Sequence, residues 1–224
     1  MKTVIYGNGA IAKLLFSYAR HTMDIAGFTV DENYILPGAE TYLGKPLVPF
    51  ENVENFFPAN SHCMINAVGF IEMNALREKK YVEARKKGYR FVSYIHDSVI
   101  LHDDVTIGEN CIILDHVSIH PGSKVGIGTF ISSNVNVGHD CNFGDWNWVN
   151  SGVSIAGGCH IAEGCFFGVN SSVGHDVRMG ARTFVGANTF ISKNTKDDQV
   201  YLSEPGQLFR LKSRSFLQFS RMLD

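Results

Sequence analysis

Two tetrads of the same make-up, Val137-Gly138-His139-Asp140 and Val173-Gly174-His175-Asp176, stand 36 residues apart in this 224-residue chain. Imidazole titrates near neutrality, and an adjacent carboxylate orients the ring and raises its basicity. A histidine followed at once by a carboxylate is therefore suited to taking a proton from a substrate. His139, flanked by small residues that leave a cleft open, is the candidate general base, with Asp140 to hold it. His175 and His120 are read as exposed residues without a role, as are His102, His116 and His160. A second chemical feature opens the chain. In the turn Gly7-Asn8-Gly9, backbone N–H groups and a helix dipole can meet phosphate. Asp31, after the next strand, is placed for a ribose hydroxyl or a base edge. Ala12 stands where a third glycine would complete a dinucleotide fingerprint, so these residues fit both nucleotide binding and a plain tight turn.

The elements that must position the histidines follow from a repeat. Every sixth residue from Leu101 to Ile191 is apolar, through Ile107, Ile113, Ile119, Val125, Ile131, Val137, Phe143, Val149, Ile155, Ile161, Phe167, Val173, Met179 and Val185. Neither a helix nor a simple strand has that period; it marks a solenoid. Four residues after each large apolar position comes a small or β-branched one, with Asn147 as the poor fit, and glycine often follows the apolar residue. This pattern describes a triangular coil of three short strands, 18 residues per turn, each turn stacked at about 4.8 Å on the last. The repeat begins near residue 99. The two tetrads then lie two coils apart on one edge, about 9.6 Å from each other. Ligand bonds of about 2 Å do not bridge that gap within one subunit, which leaves a metal only across a subunit boundary, and none is expected.

Ahead of the repeat, strands and helices alternate, which implies a parallel sheet covered by helices. Strands are expected at Thr3–Tyr6, Ile25–Val30, Cys63–Val68 and Arg90–Ser93. Helices are expected from after Gly9 to about Arg20, and from about Glu72 to Lys87 with Met73, Leu76, Tyr81 and Ala84 inward. Hydrophobic content of 45% and charged content of 19% describe an ordinary globular chain. The net charge of −2 argues against nucleic acid or an anionic membrane as partner. No signal peptide or apolar run of spanning length is present, and a cytoplasmic location is the expectation. Of five cysteines, Cys111, Cys141, Cys159 and Cys165 fall in the small interior register and Cys63 in a strand. All are read as buried hydrophobes in a reducing compartment.

At this point the residues resemble the bacterial NeuD-like sugar O- and N-acyltransferases, in which a glycine-rich α/β domain leads into a left-handed β-helix. The resemblance runs from residue 1 to about 206. It is carried by Ile5-Tyr6-Gly7-Asn8-Gly9-Ala10, Asp31-Glu32, Ala67-Val68-Gly69, Met73-Asn74-Ala75-Leu76-Arg77-Glu78-Lys79, Gly88-Tyr89, Ser93-Tyr94-Ile95 and the hexapeptide repeat. It implies a Rossmann-like nucleotide-sugar-binding domain over 1–95, a left-handed parallel β-helix acyltransferase domain over 96–195 and a C-terminal extension over 196–224. It also implies a homotrimer with sites between neighbouring β-helices, acetyl-CoA as acyl donor, no metal, and a nucleotide-linked amino sugar of surface-glycan biosynthesis as acceptor. On the matching positions His139 and Asp140 are the catalytic pair, and the Gly157 N–H polarises the thioester carbonyl. Trp148, Gly186 and Ala187 lie by the acyl-CoA, and Gly7, Asn8, Gly9 and Asp31 contact the nucleotide. Two other readings stand beside this one: O-acetylation of a sugar hydroxyl, and a scaffold that has lost donor binding, to which bulky Trp148 in a cleft and the Ser203-Glu204-Pro205-Gly206 ending lend support. The tail from Leu208 onward, basic and partly amphipathic, is expected to cap the open end of the coil.

Overall fold

The computed structural model of the protein describes residues 1–220. Its N-terminal part is a six-stranded sheet flanked by helices. Strand β1 (Lys2–Tyr6) leads through the Gly7–Gly9 turn into α1 (Ala10–Ala19) and on to β2 (Ile25–Val30). A two-residue strand β3 (Thr41–Tyr42) and β4 (Lys45–Pro49) follow, then β5 (His62–Asn66), α2 (Ala75–Lys86) and β6 (Arg90–Phe91). The order is β3-β4-β2-β1-β5-β6, parallel except for the β3–β4 hairpin, which the sequence pattern had not indicated. The chain leaves β1 toward β2 on one side and later returns to β5 on the other. The carboxyl end of β1 is therefore a topological switch point, where open α/β sheets form a crevice.

Helix α2 departs from expectation twice. It starts at Ala75 rather than Glu72, because Glu72, Met73 and Asn74 all hold left-handed backbone angles (φ 52, 50 and 71°). Its buried side is formed by Arg77, Lys80 and Ala84 rather than an apolar stripe. Arg77 is fully buried, donates to the Gly128 carbonyl and to Asn74, and lies 5.1 Å over the Trp148 ring.

From Tyr94 the chain winds as a triangular prism of two-residue strands ending at Val200–Tyr201, in three parallel sheets of seven, six and five strands. Successive turns pair in an 18-residue register: Ile113, Ile131, Val149, Phe167 and Val185 form one such column. The six-residue apolar positions fill the interior together with Cys111, Cys141, Cys159 and Cys165, and all five cysteines are buried and free. Leu101 is the exception at the open first turn, 38% exposed. The ladder starts at Tyr94, earlier than residue 99, since Ile95 continues the six-residue series one step back.

From Asn110 to Asn188 each corner contains a residue in the left-handed region, often Asn, Asp or Gly: Asn110, Asn134, Asp140, Asn170 and Asp176 have φ between 56 and 61°. Those residues tolerate that geometry best, because their short polar side chains bond locally or are absent. Asn147 is no misfit. Its side chain donates to the Gly144 carbonyl at 2.8 Å and accepts from the Cys165 N–H of the next turn at 2.9 Å, so a buried polar side chain ties two coils together.

The seven-stranded face of the prism is covered by the N-terminal sheet. Leu15 and Ala19 of α1 share a core with Tyr94, Ile112, Leu114, Phe130, Trp148 and Phe166, which point outward from that face. Phe130 stacks on Trp148 (4.1 Å) and Phe166 on Phe184 (4.6 Å). At the corner, Asp115 accepts from Tyr18 of α1 at 2.7 Å and from Ser133, and these two bonds hold its carboxyl below the usual range. The tail forms the helix α3 (Ser213–Ser220), but Leu208, Phe209, Phe216 and Phe219 are exposed, so it does not seal the prism. Arg221 and Leu223, which the sequence places on the same helix, lie outside the described residues.

Replacing Asn147 by Ala leaves the Cys165 N–H and the Gly144 carbonyl without their partner inside the core. Urea unfolding of N147A is expected to show a loss of about 1–3 kcal/mol.

Candidate active site

The corner that follows the six-stranded face carries the histidine chemistry. The 18-residue register sets two columns there: Pro121, His139, Gly157 and His175 in one, and Gly122, Asp140, Gly158 and Asp176 in the next. Asp140 takes the left-handed corner conformation, and this turns its carboxylate back beside the preceding imidazole. His139 Nδ1 lies 2.8 Å from Asp140 Oδ2 in hydrogen-bond geometry. A carboxylate on Nδ1 fixes the tautomer that leaves Nε2 as the basic nitrogen. That Nε2 lies over Gly157: a Cβ added there would come within 2.5 Å of it. Glycine at 157 is thus what allows the imidazole to lie down along the edge. The Gly157 N–H makes no hydrogen bond within the described residues.

His175 is arranged differently. It turns Nε2, not Nδ1, toward its own carboxylate, 3.1 Å from Asp176 Oδ2. The two imidazoles lean toward each other, with ring centroids 6.2 Å apart, closer than the 9.6 Å expected from strand spacing alone, because the Gly157 rung between them leaves the edge open. Among the described residues, no group of three or more His, Cys, Asp or Glu side chains is arranged to hold a metal ion.

The second site lies at the switch point of the N-terminal sheet. A cavity of about 370 Å³ is lined by Gly7, Asn8 and Gly9, by Val30 and Asp31 at the end of β2, by Ala67 to Gly69 beyond β5, and by Ile71, Leu76 and Lys80. Gly7 needs its φ of +126°, and a Cβ there would press on the Ala67 carbonyl at 3.1 Å. The N-terminus of α1 opens onto this cavity with no acid in its first turn, a favourable place for an anion. Asn8 donates to the Tyr34 carbonyl at 2.9 Å. Asp31 accepts from Tyr6 at 2.7 Å and from Lys80, whose Nζ stands 2.7 to 2.8 Å from both carboxylate oxygens and 2.8 Å from Glu83. Burial pushes the Tyr6 phenol far up, and the Asp31 carboxylate adds to the effect. Burial works to lower the Lys80 ammonium, but its hydrogen bonds to Asp31 and Glu83 outweigh this and hold it above its ordinary value. Tyr6 and Lys80 were not read from the sequence as site residues. The signal was a lysine on the side of α2 that also presents Leu76 and Ala84.

The structure brings His139, Asp140 and Gly157 together, and separately Gly7, Asn8, Gly9 and Asp31. It does not bring Trp148 to the histidines. Trp148 lies on the opposite, seven-stranded face, 3% exposed, between Phe130, Phe70 and the Arg77 guanidinium. The expectation of Trp148 beside an acyl donor is therefore corrected: its outward position is covered by Phe70 and Arg77 of the N-terminal part. The same finding removes the bulky cleft lining that favoured a scaffold. Gly186 and Ala187 occupy the corner after the seven-stranded face, one edge away from His139. Gly186 is buried against Tyr201, and Ala187 is exposed, its carbonyl accepting from Ser203.

Fold and corner chemistry together define a parallel β-helix protein of the hexapeptide-repeat kind with an α/β sheet on one face. The chain is similar to hexapeptide-repeat sugar acyltransferases across nearly its whole length. A histidine-to-asparagine variant of perosamine N-acetyltransferase from Caulobacter crescentus, solved with CoA and GDP-perosamine, is 26% identical, with 93% of this chain and 97% of that chain covered and a TM-score of 0.82. The acetyltransferase domain of PglB from Neisseria gonorrhoeae shares the fold at 18% identity, 93% and 99% coverage and a TM-score of 0.80. No family model and no curated protein sequence matches the chain.

Lys80 offsets two carboxylates at the cavity wall. In K80M, Asp31 and Glu83 face each other without a cation. Denaturant unfolding is expected to show a loss of roughly 2–4 kcal/mol, somewhat below a fully buried pair because both acids keep some water contact.

Proposed function

We propose that the protein transfers an acetyl group from acetyl-CoA to the amino group of a nucleotide-linked amino sugar. The observation that carries this reading is the His139 imidazole, held through Nδ1 by Asp140 with Nε2 free over Gly157. It occurs in a chain similar at 26% identity to an enzyme solved with CoA and a GDP-linked amino sugar. As the amine attacks the thioester carbonyl, a C–N bond forms and His139 Nε2 takes the amine proton. The Gly157 N–H faces the oxygen on which negative charge develops. Collapse of the tetrahedral intermediate breaks the C–S bond, and the imidazolium returns the proton to the departing thiolate. Asp140 keeps the ring in the working tautomer throughout.

The six-stranded N-terminal sheet is read as Rossmann-like and the coil as left-handed. Residues 1–95 would hold the nucleotide sugar, with the α1 N-terminus, Gly7, Asn8 and Gly9 on the diphosphate and Asp31 on the nucleoside. Residues 96–195 would carry the transfer, and 196–224 extend it. The N-terminal domain covers the face opposite the His139 edge, which supports a site completed between chains rather than within one. A homotrimer provides this by setting the cavity of one protomer against the histidine edge of its neighbour. The outward column Ser118, Asn136, Ser154 and Ser172 on the six-stranded face is uncharged and small, ending in exposed Phe190, and suits a neighbouring prism. Gly186 and Ala187, one edge away, would then approach the donor from across that boundary.

Light scattering is expected to give a mass three times the 24.8 kDa of one chain; a monomer would remove the shared site. Free-thiol release from acetyl-CoA, followed with UDP-, GDP- and dTDP-linked 4-amino sugars and with hydroxyl acceptors, tests the activity and separates amine from hydroxyl. In that assay H139A is expected to lower kcat by about 100-fold or more. H175A should cost far less, since its Nε2 is turned to its own Asp176. Equal losses would mean that the two tetrads act together and that His139 is not the single base.

A further inference from the structure

We propose that the C-terminal tail docks this protein onto an anionic lipid surface. The net charge of −2 hides a division along the chain. Residues 207–224 carry Arg210, Lys212, Arg214 and Arg221 against Asp224, a net +3, so residues 1–206 carry −5. Within the described part of the tail the cations Arg210, Lys212 and Arg214 form no ion pair with any described residue. Of the acids at the end of the coil, Asp198 and Glu163 are engaged with Arg182 and Asp197 with the Ala181 N–H, while exposed Glu204 makes no ion pair with the tail cations.

The apolar side is left open as well. Leu208 is fully exposed and Phe209, Phe216 and Phe219 are about half exposed, although Phe209 and Phe216 touch each other at 5.4 Å. A helix of eight residues has little stability alone in water, and an apolar surface under its aromatic residues would add to it. A short helix carrying Phe216, Phe219 and Arg214, preceded by Phe209, Arg210 and Lys212, with no acid from 207 to 220, has the make-up of an interfacial segment, in which rings enter the acyl boundary and cations meet lipid phosphates. Among the described residues no helix is long and apolar enough to cross a membrane, so the contact is one of lying on the surface.

The test uses the full chain and sedimentation with vesicles of phosphatidylcholine, or of phosphatidylcholine and phosphatidylglycerol at about 7:3. Binding to the anionic vesicles is expected to exceed binding to the neutral ones by about 100-fold, three cations contributing. It should be released by about 0.5 M salt. R210Q/K212Q/R214Q should lose that advantage. F209S/F216S/F219S should not sediment with either vesicle, and both variants should keep the parent melting temperature because the replaced side chains are exposed. Equal binding to both vesicle types, no binding to the anionic one, or binding unchanged in both variants would overturn the proposal. A changed particle mass in the variants without vesicle binding would also overturn it, by assigning the tail to a second copy of the chain.

Discussion

Parallel stacking of identical 18-residue turns is the constraint from which the rest follows. Each strand pairs with the strand one turn ahead and one turn behind, so a residue type chosen at one corner is repeated or answered 18 residues later at van der Waals distance. A side chain on an edge therefore depends on the residue beneath it. His139 can lie along its edge because the next rung is Gly157, and Gly158 accommodates the Asp176 carboxylate, which a Cβ would meet at 2.0 Å. The same vertical logic explains why Asn147 is satisfied in the core, with its amide donating within its own turn and accepting from the next.

That constraint also decides what was legible in the sequence. The coil, its interior cysteines and the adjacent His139–Asp140 pair could be read from period and sequence, whereas Gly157 came with the family resemblance, and the 18-residue register explains why it lies beneath His139. The distance between the two imidazoles was not legible. Strand spacing fixes Cα positions, whereas the 6.2 Å between rings comes from both side chains leaning over a glycine rung. Trp148 failed for another reason. The residue just before each interior position points outward, and outward means solvent on two faces of the prism but the N-terminal sheet on the third. No periodicity in the repeat marks which face is covered. Arg77 and Lys80 were hidden in the same way, since a helix whose buried side carries two cations has no apolar stripe to find.

The covered face in turn governs how function is distributed. Aromatic residues at the outward positions of one face, Phe130, Trp148, Phe166 and Phe184, commit it to the N-terminal sheet, and Asp115 fastens Tyr18 of α1 to the same corner. The histidine edge is left opposite and exposed. A prism with one face buried intramolecularly, one edge bearing a base and one uncharged face has the asymmetry that a cyclic assembly uses.

The junction between cavity and coil is where the fold holds strain. Glu72, Met73 and Asn74 are three successive non-glycine residues in the left-handed region, at roughly 1–2 kcal/mol each. They directly follow Phe70, which packs on Trp148 and Phe166, and Ile71, which lines the cavity. Asn74 is buried and accepts from Arg77, while Arg77 donates to the coil at Gly128. The tight left-handed turn therefore lets one short segment end a cavity wall, seat an aromatic ring on the coil and start a helix whose first turns are bonded to that coil. A relaxed, extended link of the same length could not direct Phe70 toward the prism and Ile71 toward the cavity while still delivering Asn74 to the Arg77 guanidinium. The strain is offset by those contacts, and through them the position of the cavity is tied to the coil rather than to the sheet alone.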